Sequence, residues 1–269
     1  MKHLVANGFR YIRLISTYMR LNLLAALQYR FDFFAGLIIN IISSAMIVTF
    51  YIIVFNHVNE LNGWTLDHMM ILTGSYLIVN SLYVGLIFHG ISRLPKFILE
   101  GQLDQLLTQP ISPRLQILLG EIDIGSLLSA LLGIGIVIYY TFKLQIKIDV
   151  FLILNYAMAI LFSQLFLYRA LYFLMSLAFW LGKIDELRDC FSLLIDFGNR
   201  PKFIYPKILN FIFSWLIPIF LVANVPAEII LQKPDPYLHI LSFMSLIPIY
   251  FLSEFVWRRG LKIYASANK

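Results

Sequence analysis

RLPKFILEGQLDQLLTQPISPRL, residues 93–115, is the longest polar interruption in the first two-thirds of the chain, and apolar runs flank it on both sides. Pro95 fits a first helical turn, where a missing N–H costs nothing. Leu99, Leu103 and Leu106 then recur at i, i+4 and i+7, the spacing of one helical face. Glu100 and Asp104 form an acidic pair one turn apart beside that stripe, and Gln109, Pro110 and Pro113 are stop signals. Two readings follow: an amphipathic helix that lies against a membrane domain and offers carboxylates to something outside the chain, or an ordinary solvated loop helix.

The flanking runs decide the class. Of the 269 residues, 60% are hydrophobic and 13% charged, and mean hydropathy is +0.79. Soluble chains carry about 45–50% apolar and about 25% charged residues, so this is a membrane protein. Six apolar stretches, Phe33–Phe55, Leu66–Ile91, Ile117–Phe142, Val150–Trp180, Ile208–Leu231 and Tyr237–Trp257, reach the roughly 20 residues that a hydrocarbon core of about 30 Å demands. They are continuous rather than alternating, which excludes spanning strands. The fourth is too long for one perpendicular crossing and must tilt, extend or break. The expected fold is therefore an all-α membrane protein of six transmembrane helices, residues 32–257, followed by a tail, 258–269.

Residues 1–31 do not read as a secretory signal. Leu4, Val5, Phe9, Ile12, Ile15, Tyr18 and Met19 share one helical face and Arg10, Arg13 and Arg20 the opposite one, the pattern of an interfacial helix. All but four of the 21 lysines and arginines fall on one side of the six-span layout. Lys143, Lys147 and Lys233 fall on the other, and Arg169 lies within a span. By the positive-inside rule both termini are cytoplasmic, as are the loops 92–116 and 181–207. This asymmetry accounts for the net charge of +6 without nucleic acid.

Little in the sequence carries catalysis. Cys190 is the only cysteine, and His3, His57, His68, His89 and His239 are scattered, with no H-E-x-x-H pair for zinc. No G-x-x-x-x-G-K-[ST] phosphate loop and no G-x-S-x-G elbow occurs, so the chain cannot bind ATP in the P-loop manner. Arg169 is the one strong base within an apolar stretch; it reads as snorkelling to headgroups, as half of a structural ion pair, or as a substrate contact. Pro218 and Pro226 interrupt the fifth stretch around Asn224 and Glu228, so Ala223–Leu231 reads either as a re-entrant piece or as a mere kink, with Glu228 a gate residue or an interfacial charge. Asp32, Glu121 and Asp123 are expected to pair with Arg30, Arg114 or Arg169. Gly125, Ser129 and Gly133 form a small-residue ridge for intramolecular packing or a subunit contact. With few intramembrane polar groups, substrate is expected to pass between two subunits rather than through one.

ILEGQLDQLLTQPISPRLQILLGEID, residues 98–123, resembles the cytoplasmic-loop signature of six-span permease subunits of type-2 ABC exporters, in which an acidic residue, Gly, Leu-Asp, two leucines and a proline follow the second span. FGNRPKFIYPKILNFIFSWLIPIFLVANVPAEIILQ, residues 197–232, is similar to the same family's entry into the fifth span. The resemblance implies a tail elbow helix, a coupling helix over residues 96–108, and a separately encoded ATPase subunit carrying ATP and magnesium, this chain holding no cofactor. It further implies a second permease subunit, identical or paralogous, and a bacterial inner-membrane location. Glu100, Leu103, Asp104 and Leu107 would transmit the ATPase stroke, and Arg169, Asn224 and Glu228 would be the pathway or gate candidates. Export direction rests on the resemblance. The family's substrates include peptides, antibiotics, lipids and glycan carriers, and nothing in the sequence selects among them. The rival expectations are a stand-alone secondary transporter or channel, an intramembrane enzyme, for which no nucleophile–base pair is found, and a scaffold.

Overall fold

The computed structural model describes residues 2–233 and 235–267, with side chains from residue 13 to 265 apart from residue 234. The expected pattern at Leu4, Val5, Phe9, Arg10 and Ile12 therefore lies outside the described side chains. The helices are α1 (Lys2–Gln28), α2 (Arg30–His57), α3 (Leu66–Tyr83), α4 (Leu94–Leu99), α5 (Leu103–Leu107), α6 (Pro113–Leu119) and α7 (Ile124–Lys143). They continue as α8 (Val150–Ser176), α9 (Asp185–Asp196), α10 (Lys207–Phe211), α11 (Asn224–Ile230), α12 (Pro236–Met244) and α13 (Leu246–Ala267). A π turn, Val84–Phe88, and short helical turns carry α3 on toward α4.

Five helical stretches among the described residues are long and apolar enough to cross a membrane: Arg30–His57, Leu66–Leu99, Ile124–Lys143, Val150–Leu181 and Pro236–Ala265. The expected sixth, Ile208–Leu231, is not one helix. After α10 comes a π turn, Ile212–Leu216; Pro218 then sits at φ −70° and ψ 65° in a tight turn that the Ile219 N–H closes on the Ile217 carbonyl, and a single 3₁₀ turn, Ile219–Leu221, leads into α11. Proline supplies no N–H to the ladder, so carbonyls near the break lose their helical donor. Two serines of neighbouring spans fill in: Ser163 donates to the Leu221 carbonyl at 2.5 Å and Ser242 to that of Ser214 at 3.2 Å. Non-helical backbone is tolerable at this depth because protein covers it, and residues 219–228 are buried throughout.

Residues 181–207, expected as a loop on the side of 92–116, instead run from one end of the bundle to the other. One end is marked by Arg93–Glu121 at 3.3 Å and by Phe179 against Tyr264. The opposite end holds Lys143–Asp67 at 2.7 Å, Gln232 donating to the Lys147 carbonyl, and Trp64 against Phe203. Helix α9 leaves the first end just after Leu181; Asp196 meets Tyr76, Asn199 meets Tyr51, and Lys202 reaches Asp235 at the second. Lys202 thus lies with Lys143 and Lys147, not with the basic residues of the 92–116 stretch. The expected tail 258–269 is not separate either, because α13 continues to Ala267.

Helix α3 runs through the middle, with Met69–Val79 all buried, whereas in α2 only Ser44 and Tyr51 are. Helices α3 and α7 touch at backbone distance. A Cβ added at Gly133 would lie 2.7 Å from the Gly74 carbonyl oxygen and 2.9 Å from the Ile78 nitrogen. The small-residue ridge thus serves intramolecular packing here. Gly133→Ala must separate the two helices, at a cost of about 1–3 kcal/mol. Gly135→Ala is the control, since its Cβ meets nothing within 4 Å. Thermal unfolding of the solubilised chain should show a lower midpoint for the first variant only; equal midpoints would mean that the contact can relax freely.

A polar groove and an exposed helical elbow

Helix α2 carries Asn40, Ser43, Ser44, Ile47 and Tyr51 along one face, at helical three- and four-residue steps. Opposite stand Tyr76, Leu77, Asn80 and Ser81 of α3, Ser126 and Ser129 of α7, and the segment Asp196–Ile204. Between them lies a partly open groove of about 840 Å³. Some of its polar groups are spoken for: Ser44 donates to the Asn40 carbonyl, Ser129 to that of Gly125, and Ser126 to the Asp123 carboxylate. Others belong to the scaffold: Tyr76 donates to Asp196 at 2.6 Å and Tyr51 to the Asn199 carbonyl at 2.7 Å. The buried side-chain oxygen of Asn199 has no hydrogen-bond partner. The groove gathers more polar side chains from one chain than the apolar spans suggest, and it is open on one side. Its signal was present in the Asn-Ser pairs of the first two spans, but only the convergence of three helices and the 196–204 segment makes it a site.

None of the three pathway candidates lines the groove. Asn224 is fully buried and acts as a clamp: its Oδ1 accepts from the Lys202 N–H at 2.9 Å, and its Nδ2 donates to the carbonyls of Arg200 at 3.0 Å and Gly198 at 3.3 Å. It thereby fixes the backbone that carries Arg200 on the groove wall. Glu228 is 3% exposed and ion-paired to Lys202 at 2.9 Å, with His239 at 3.4 Å and the Asp235 N–H donating at 3.2 Å. Its charge is taken up by this internal cluster. Lys202 also bonds Asp235 at 2.7 Å. Burial pushes the Asp235 carboxyl up, but the bond from Lys202 and the N–H groups at the start of α12 hold it below its ordinary value.

Arg169 makes no ion pair among the described residues. Its guanidinium lies 4.2 Å from the centre of the Tyr250 ring and 5.5 Å from that of Tyr168, and its buried Nε and Nη1 lack hydrogen-bond partners. Ring faces, not a carboxylate, compensate this charge. The acidic residues at the mouth of the third span also find other partners than expected. Glu121 pairs with Arg93, and Asp123 caps α7 through the Gly125 N–H. Arg114 takes Glu254 at 2.5 Å and stacks on Tyr172 and Trp257.

The 93–115 stretch is not one amphipathic helix. Two short helices, α4 and α5, meet at Gly101, whose φ of +72° is left-handed and suits glycine. Pro113 opens α6 rather than ending a helix. Leu94, Ile98 and Leu103 are buried, whereas Leu99, Glu100, Asp104 and Leu107 are exposed. Leu103 therefore anchors the elbow and presents nothing outward. Gln116 ties the piece down by donating to the Ile111 carbonyl at 3.0 Å. At the same end, the Asn22 amide of α1 donates to the Leu119 carbonyl and accepts the Ile122 N–H, pinning the first helix to the turn after α6.

No curated protein matches the sequence. The model of the family described as ABC-2 family transporter protein matches residues 41–268, which takes in all of the groove but Asn40, the helical elbow and the broken segment, and the chain belongs to that family.

Proposed function

We propose that this chain is one half of the substrate pathway of an ATP-driven exporter in a bacterial inner membrane. A separate ATPase subunit, holding ATP and magnesium, docks on α4–α5, and a second permease subunit, a copy or a paralogue, completes the pathway. The observation that carries the reading is the elbow. Exposed Leu99, Glu100, Asp104 and Leu107 sit on a short helical pair that Leu94, Ile98 and Leu103 root in the bundle. A push on such a piece moves the helices beneath it, because packed interiors deform little. The α9–α11 segment counts as the sixth crossing, made of broken elements, so both termini lie at the cytoplasmic end with α1 as the elbow helix of the tail. Membership of the ABC-2 family supports the transport role.

The test is gentle purification of the full chain expressed from its own operon. A P-loop ATPase should co-purify in fixed proportion, and the companion bands should report one permease species or two. Purification of the chain alone, with ion-gradient-driven uptake in liposomes, would replace this reading with that of a secondary transporter.

A further inference from the structure

Two side chains of opposite charge, both exposed, stand on the groove wall. Asp196 ends α9 and Arg200 follows the 3₁₀ turn Phe197–Asn199, and both line the groove. The Asp196 carboxylate has the Tyr76 hydroxyl as its neighbour, well inside the α3 span. The Arg200 guanidinium lies 5.5 Å from the centre of the Phe197 ring, near the hydroxyls of Tyr51 and Tyr205. Neither forms an ion pair among the described residues. The backbone between them is fixed: Asn224 holds the carbonyls on either side of Asn199, and Tyr51 holds that of Asn199 itself. Both side chains are exposed to the groove, so each is accessible to a ligand there. The rest of the wall divides into neutral polar groups, Asn40, Ser43, Asn80 and Ser81, and an apolar strip, Met46, Ile47 and Phe50, along the mostly exposed α2.

We propose that the groove binds a zwitterionic amphiphile, with its cationic group at Asp196, its anionic group at Arg200 and its apolar part along the α2 strip. A singly charged ligand meets one wall charge and covers the other without a partner, which costs more than pairing both. A zwitterion pairs both and carries no net charge into the membrane. The same chemistry occurs in a phosphoethanolamine lipid headgroup and in a short apolar peptide with free termini. That the ligand is cargo rests on the permease reading; that it binds does not.

Binding of matched ligands to the full chain in non-ionic detergent, followed by native mass spectrometry, tests this. The lipid arm compares lyso-phosphatidylethanolamine with lyso-phosphatidylglycerol and an alkylamine of equal chain length. The peptide arm compares trileucine with its N-acetyl and C-amide forms. In one arm or both, the zwitterion should bind at least about tenfold tighter than its singly charged analogues, and the arm that responds names the source. Asp196→Asn should erase the preference over the anionic analogue, and Arg200→Gln that over the cationic one. The wild-type series needs no variant to fold: if neither zwitterion outbinds its analogues, the proposal is wrong, and it is equally wrong if folded variants keep both preferences. No ATPase is required, so failure here leaves the exporter reading standing, and loss of the ATPase in the purification leaves this one standing.

Discussion

Glu100→Lys combined with Asp104→Lys is expected to leave the chain folded while reducing recovery of its ATPase partner by at least about tenfold. Both residues are exposed, and what Glu100 loses is a surface hydrogen bond from Gln102 of 2.8 Å. Exposed substitutions of this kind stay within about 0.5 kcal/mol in stability. Across an interface, by contrast, reversed charges placed against a surface shaped for acids cost several kcal/mol. Leu103→Asp should behave in the opposite order. Leu103 is fully buried, so a carboxylate there loosens the elbow itself and lowers thermal stability before any partner is involved. Comparing the unfolding midpoints and the ATPase recovered from the two variants separates contact from anchor. A double-lysine variant that retains its ATPase and pumps normally in vesicles would remove α4–α5 from the interface.

The difference between Leu103 and Leu107 also shows where the sequence runs out. Leucine spacing is a local signal, and it marked the stretch 93–115 as amphipathic. The same spacing continues through Gly101, so the pattern alone could not reveal that two helices meet there at a left-handed residue. Five apolar stretches became spanning helices because twenty-odd apolar residues in lipid have no other way to satisfy their backbone. The sixth escaped that rule because Ser163 and Ser242, distant in sequence, serve its carbonyls. Residues 181–207 were misplaced for a related reason. Their basic residues resemble a cytoplasmic loop, yet the clamp from Asn224 and the pairing of Lys202 with Glu228 and Asp235 draw them across the bundle. Asn224 and Glu228, read from the sequence as pathway or gate candidates, hold the backbone that carries Arg200 on the groove wall.

That division of labour makes Lys202→Met the variant with the largest expected loss of stability. Removing one partner of a buried ion pair leaves an uncompensated charge and costs about 3–5 kcal/mol. Here the lower end applies, because the Asp235 N–H at 3.2 Å and His239 at 3.4 Å still face the Glu228 carboxylate. Glu228→Gln alone should cost less. Lys202 keeps Asp235 at 2.7 Å, its side chain is 28% exposed, and a neutral amide has no charge to desolvate. The double variant, with the charge removed from both sides, should be more stable than Lys202→Met, a non-additivity within the roughly 0.5–3 kcal/mol seen for contacting residues. Unfolding midpoints of the three solubilised variants decide the matter. If the double variant is as unstable as Lys202→Met, the loss comes from the lysine's packing rather than from a stranded carboxylate. If instead it recovers, the ion pair is what fixes residues 198–202 against α11. The groove charges would then depend on a pair that never touches the ligand.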